Sequence, residues 1–126
     1  VAQAKTRAEI VLSIVVTDNT FLRSKPRFYS EERPLDVVWV GRCIHCNTQL
    51  VVSIDGKTGA TIEHIQPLCD GGHPTDPRNL ALACARCNNE KGIRHDIHVG
   101  KGGRADEVVL ALQEKRSARW RSGTEL

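Results

Sequence analysis

The 126-residue chain contains no Met, and its only aromatic residues are Trp39, Trp120, Tyr29, Phe21 and Phe28. A core must therefore draw on Val, Ile, Leu and Ala, which bury less area per side chain than aromatics do. A core of that kind gains from a metal staple. Because Met is also missing at position 1, the numbering is expected to begin inside a longer gene product or after processing. No apolar run approaches the roughly 20 residues of a spanning helix, and the run Ile10 to Val16 lacks a signal-peptide cleavage pattern. A soluble, cytoplasmic protein without a membrane partner is expected.

A strong charge of either sign is lacking too: the net charge is +3, too small by itself to argue for a polyanion. Its distribution says more. Residues 1–42 and 101–126 each carry +2, and residues 43–100 carry −1. A polyanion would therefore be gripped by the flanks and by bound metal rather than by the centre. The length fits one domain, 1–126, since a single core can be buried at that size.

Cysteine is where the sequence becomes specific. Four of the five fall into Cys-x-x-Cys doublets, Cys43/Cys46 and Cys84/Cys87, and Cys69 stands alone as a spare thiol. An odd count in paired doublets fits metal better than a disulfide framework. Each doublet places two sulfurs across one tight turn, and two doublets together supply the four soft ligands of a tetrahedral Zn²⁺ site. The segment between them exceeds the ~15 to 20 residues of a common zinc ribbon, so the site brackets an inserted element. His45, between two ligands, is not needed once four thiolates are present.

Apolar residues at Ala4, Ala8, Val11, Leu12 and Val15 predict a helix over Ala2 to Val16, against the β-branched run Ile14 to Thr17. Asp18 to Pro34 has no steady period and reads as an irregular connector. Asp36 to Val40 and Gln49 to Ile54 read as strands joined by a zinc knuckle. The turn formers Asp55 to Gly59, followed by Ala60 to Ile65, predict a hairpin between that second strand and the next. Pro67 to Pro77 reads as a loop, order resumes at Arg78 to Leu82, and a helix is expected from near Cys84 to a Gly92 C-cap. Ala105, Val108, Val109 and Leu112 mark a C-terminal helix with Asp106 and Glu107 in its first turn. Its cations Lys115, Arg116, Arg119 and Arg121 are expected either to complement the helix dipole or to meet phosphates.

The ordered set Glu63-His64-Ile65-Gln66-Pro67, Gly71-Gly72, Asn79-Leu80 and Cys84-Ala85-Arg86-Cys87-Asn88-Asn89-Glu90-Lys91-Gly92 resembles the HNH endonuclease pattern over residues 43–92. The resemblance implies an α+β fold: a small ββα-metal unit stapled by the pair of zinc knuckles, with a 1–42 flank, a 101–126 basic helical flank, and a helix in each. It implies hydrolysis of DNA phosphodiesters, double-stranded DNA being the default, with His64 as general base. Asn79 then matches the second motif position and Asn88 the third. Glu63 and Asn88 would hold one catalytic divalent cation. Neutral imidazole suits the base role because it can take a proton from water near pH 7.

Adjacent strand residues face opposite sides, so the strand should end or twist at Glu63 and His64, with Pro67 helping to end it. Asn79 is expected to hold the following loop through side-chain to backbone hydrogen bonds rather than to touch substrate. Many relatives carry Asp at the Glu63 position and His at the Asn88 position, and the amide favours Mg²⁺ or Mn²⁺. His73, His95 and His98 read as solvated, and Arg86, Lys91 and Arg94 as secondary backbone contacts or a solvated helix face. Two alternatives stay open: a zinc-stabilised nucleic-acid-binding module without catalysis, and a nuclease acting on RNA or structured DNA.

Overall fold

The computed structural model describes residues 5–24, 37–87 and 106–122. Helix α1, Arg7–Thr17, starts at a capping box in which Thr6 and Glu9 satisfy each other's backbone N–H groups. The β-branched run at its end does not break it, because Val11, Ile14 and Val15 lie fully buried on one face. Tertiary burial outweighs the few tenths of a kcal/mol that such residues cost a helix. Residues 2–4 of the expected helix lie outside the described residues.

Strands β1 (Leu22–Ser24), β2 (Val38–Arg42) and β3 (Gln49–Ser53) form an antiparallel sheet in that order. The expected connector after Asp18 thus contains a short strand, and the first cysteine knuckle joins β2 to β3 as expected. Strands β4 (Thr61–His64) and β5 (Leu80–Ala83) form a separate antiparallel pair. This corrects the hairpin expected across Asp55 to Gly59, since β4 pairs with β5 and not with β3. The turn is there, with Gly56 N–H on Ser53 O and Lys57 N–H on the Asp55 carboxylate. Its Gly56, at φ +91°, packs against Ala8 of α1. What redirects the chain is β5: all four of its residues are buried, and a strand covered on both faces needs a partner of its own.

Between β4 and β5 the loop carries two 3₁₀ turns, Leu68–Asp70 and Pro77–Asn79. Residues 85–87 are helical. Helix α2, Asp106–Arg119, buries Val109 and Leu112 as its periodicity predicts. The fold is α+β, and its core gathers α1, Phe21, Trp39, Ile44, Val52, Ile65, β5 and Leu112. Among the described residues, no helix is long and apolar enough to cross a membrane.

The basic end of α2 adds a role that the sequence reading did not include: Arg116 and Arg119 stand in its last turn, and all four cations donate to carbonyls of other segments, Lys115 from an exposed position. Arg116, 2% exposed, donates to the backbone oxygens of Thr17, Pro77 and Leu80 and to the Thr17 hydroxyl. Arg121 donates to the carbonyls of Val15, Val16 and Phe21, and Arg119 to those of Arg42 and Cys43. Lys115 reaches the carbonyl of Ile44. Helix α1 has no basic residue in its last turn. Its open carbonyls are capped in trans by α2 and the residues after it.

Candidate active site and metal centre

The sulfurs of Cys43, Cys46, Cys84 and Cys87 lie within 4.8 Å of one another, and this is the one such cluster among the described residues. A tetrahedral zinc with bonds of about 2.3 Å sets its sulfurs about 3.8 Å apart. Cys46 and Cys84 Sγ are 3.8 Å apart. The knuckle is shaped for an anionic sulfur: the backbone N–H groups of His45 and Cys84 both point at Cys43 Sγ, at 3.4 Å. Asn47 takes a left-handed conformation, φ 65°, to close the turn. Cys46 is held down to about 6, first by hydrogen bonds from Thr48, whereas burial and the neighbouring thiols push Cys87 up. Crowded thiols that resist joint ionisation are the donor set a Zn²⁺ ion satisfies. Cys69 is exposed and stands outside the cluster.

The knuckle docks on the β4–β5 pair through Ile44 N–H, which donates to Leu82 O at 3.1 Å. That docking brings His45 Nε2 to 3.4 Å from Oε2 of Glu63, a completely buried carboxylate. A charge so placed needs a partner of opposite sign or a metal. Nothing in the Cys-x-His-Cys spacing pointed to this contact. It depends on which strand the knuckle lies against, and the hairpin reading had that wrong.

Strand β4 stays regular to its last residue, His64 pairing with Leu80 and Glu63 with Ala81. The strand ends at His64, as expected, yet Glu63 and His64 lie on opposite faces: Glu63 is buried toward the knuckle, and His64 is half-buried beside the loop. His64 Nε2 lies 3.2 Å from the carbonyl oxygen of Pro74. A carbonyl can only accept, so this contact puts the proton on Nε2 and leaves the lone pair on Nδ1.

Asn79 stands where β5 begins. Its Oδ1 accepts from Gln66 N–H at 2.8 Å, and its Nδ2 donates to the carbonyls of Gln66 and His73. Its own carbonyl accepts from Ile65 N–H. One amide thus binds both ends of the loop that carries Pro74. Gly71, at φ +84°, and Gly72 complete the turn, since a Cβ on Gly72 would run into the carbonyl of Gln66. His73 is exposed, as expected, but not idle: its Nδ1 accepts the backbone N–H groups of Thr75 and Asp76. Arg86 is exposed on the helical turn. Asn88, Lys91, Arg94, His95 and His98 lie outside the described residues.

No curated protein and no solved structure matches the chain. The family model described as HNH endonuclease matches residues 43–94, which span both knuckles, β4, β5 and the loop between them.

Proposed function

We propose that the chain is a metal-dependent endonuclease that hydrolyses DNA phosphodiester bonds, with His64 as general base. The observation that carries this reading is the contact of His64 Nε2 with the Pro74 carbonyl, which leaves Nδ1 free to accept a proton. His64 Nδ1 takes a proton from water, and the hydroxide formed attacks phosphorus in line with the bond to the 3′ oxygen. That bond breaks, the 3′ oxygen gains a proton from solvent, and the products are a 5′ phosphate and a 3′ hydroxyl. Asn79 keeps the imidazole aimed by holding the Pro74 loop, and misplacement of a base by about 1 Å is enough to cost roughly 100-fold in rate.

Glu63 and Asn88 are the proposed holders of one catalytic cation. The buried Glu63 carboxylate offers the hard oxygen donors that Mg²⁺ or Mn²⁺ prefers. Glu63 lies on the face of β4 opposite His64 and against His45, so its carboxylate would have to turn out of that buried position to hold a cation beside the phosphate; held there, the cation would neutralise the charge that builds on the phosphate and the departing oxygen. Zinc at the four cysteines has the separate task of holding the scaffold, and thiolate ligands fit the reducing cytoplasm proposed as the setting.

Plasmid nicking with added Mg²⁺ or Mn²⁺ tests the reading. Wild-type protein should convert supercoiled to open-circular DNA, and His64→Ala should reduce the rate by roughly 100-fold or more. Equal cleavage by both would refute the assignment of His64. Binding without cleavage by wild type would favour a zinc-stabilised binding module.

A further inference from the structure

Arg78 immediately precedes Asn79 and is exposed. Its guanidinium lies over the ring of Trp120 at 4.2 Å, and Arg116 flanks the same ring at 4.9 Å. The two arginines differ in one respect. Arg116 spends its donors inward on carbonyls and the Thr17 hydroxyl. Among the described residues, the Arg78 side chain donates no hydrogen bond and forms no ion pair. The neighbouring acid, Asp76, accepts from the backbone N–H of Arg78 instead. Trp120 is itself fixed, by its N–H to Ser117 O and its bridge to Asp18. The fork is thus oriented by stacking while its N–H groups remain unspent, the state in which arginine recognises a phosphate.

The surroundings agree. Arg78, Gln113, Arg116, Ser117 and Trp120 line an open cavity of about 320 Å³, room for a phosphate group with neutral donors beside the cation. Arg119 adds a third positive charge nearby, and the acid facing them, Asp18, is 1% exposed and so withdrawn from any ligand. Arg78 is two residues from Leu80, the strand partner of His64. Its Cα therefore lies within about 12 Å of that of His64, close enough to meet a phosphate near the one being cut.

We propose that Arg78, held on Trp120, is a DNA-backbone contact that seats the duplex beside His64. The proposal rests on the reading of the chain as a DNA nuclease, and its test is independent of cleavage. Zinc-loaded full-length protein carrying His64→Ala would be titrated against a short fluorescein-labelled duplex over a range of salt concentrations. Adding Arg78→Ala should weaken binding several-fold and lower the slope of log affinity against log salt by about 0.9, the loss of one phosphate contact. Arg78→Lys should restore the slope but not the full affinity, because it keeps the charge and loses the planar fork.

An unchanged slope in folded Arg78→Ala, a Lys variant no better than Ala, or no binding by the parent protein would each overturn the proposal. Nicking by otherwise wild-type protein is scored separately. Cleavage with an Arg78-independent slope leaves the nuclease reading standing without the proposal, and an Arg78-dependent slope without cleavage does the reverse.

Discussion

Asn79 commits its carbonyl and its amide nitrogen to the backbone around His64, and the chemistry of the amide makes it hard to replace. Asn79→Asp keeps the acceptor for Gln66 N–H but turns a carboxylate oxygen toward two carbonyls that had received hydrogen bonds. The variant should lose roughly 1–3 kcal/mol in urea denaturation. Its nicking rate should fall about 100-fold, with duplex affinity retained because no contact to DNA is removed. Wild-type turnover in that variant would show that the loop needs no such anchor. Cys69→Ser is the contrasting case: the thiol is exposed and outside the cluster, so zinc content should not change and stability should stay within about 0.5 kcal/mol. At this scale the sequence was most legible where a residue type is scarce and its spacing constrained, as in the cysteine doublets. The partners Pro74 and His45 were not legible. One acts through a backbone oxygen that any residue has, and the other through a docking geometry that spacing does not encode.

At the scale of elements, the periodicity of α2 predicted its buried stripe, Val109 and Leu112, but the destination of its arginines escaped sequence reading. A guanidinium near a helix end reads alike whether it meets water, phosphate or a foreign carbonyl. Here Arg116 ties the end of α1 to Pro77 and Leu80, the residues on either side of the Arg78-Asn79 pair. Burial pushes its guanidinium down to about 10, with Asp18 opposing the shift. At neutral pH it is therefore charged folded or unfolded and gives no pH dependence there; only near pH 10 and above, where the folded chain would release the proton first, should stability rise from this group. Arg116→Ala strands several buried acceptors and removes one positive charge near Asp18, which keeps Thr20 and Arg119. A loss of about 3–5 kcal/mol in urea is expected, with Arg116→Lys recovering only part, since one ammonium cannot span acceptors on both sides. An Ala variant within about 1 kcal/mol of wild type would mean that water satisfies those carbonyls instead. The strand pairing was misread for a related reason: turn formers at Asp55 to Gly59 encode a reversal but not the strand that the chain meets afterwards.

Across the whole molecule, the cysteines join what the strand order leaves apart. Cys43 and Cys46 close the β2–β3 hairpin, Cys84 and Cys87 follow β5, and the two sheets share no strand. Zinc is therefore expected to contribute to folding directly, and the catalytic cation is not. Chelation that strips zinc should lower the urea midpoint and abolish nicking, with activity returning on Zn²⁺ followed by Mg²⁺ but not on Mg²⁺ alone. The proton balance gives a sharper test. Cys46, held down to about 6, is already a thiolate at pH 7, whereas Cys87, pushed up, gives up its proton only to the metal. Zinc binding at pH 7 should therefore release fewer than four protons. As the pH falls through about 6, Cys46 must be deprotonated as well, so proton release should grow and zinc affinity should fall more steeply. Calorimetry in buffers of different ionisation enthalpy measures that number directly. A constant release of four protons from pH 5 to 8 would mean that Thr48 does not hold Cys46 ready for the metal.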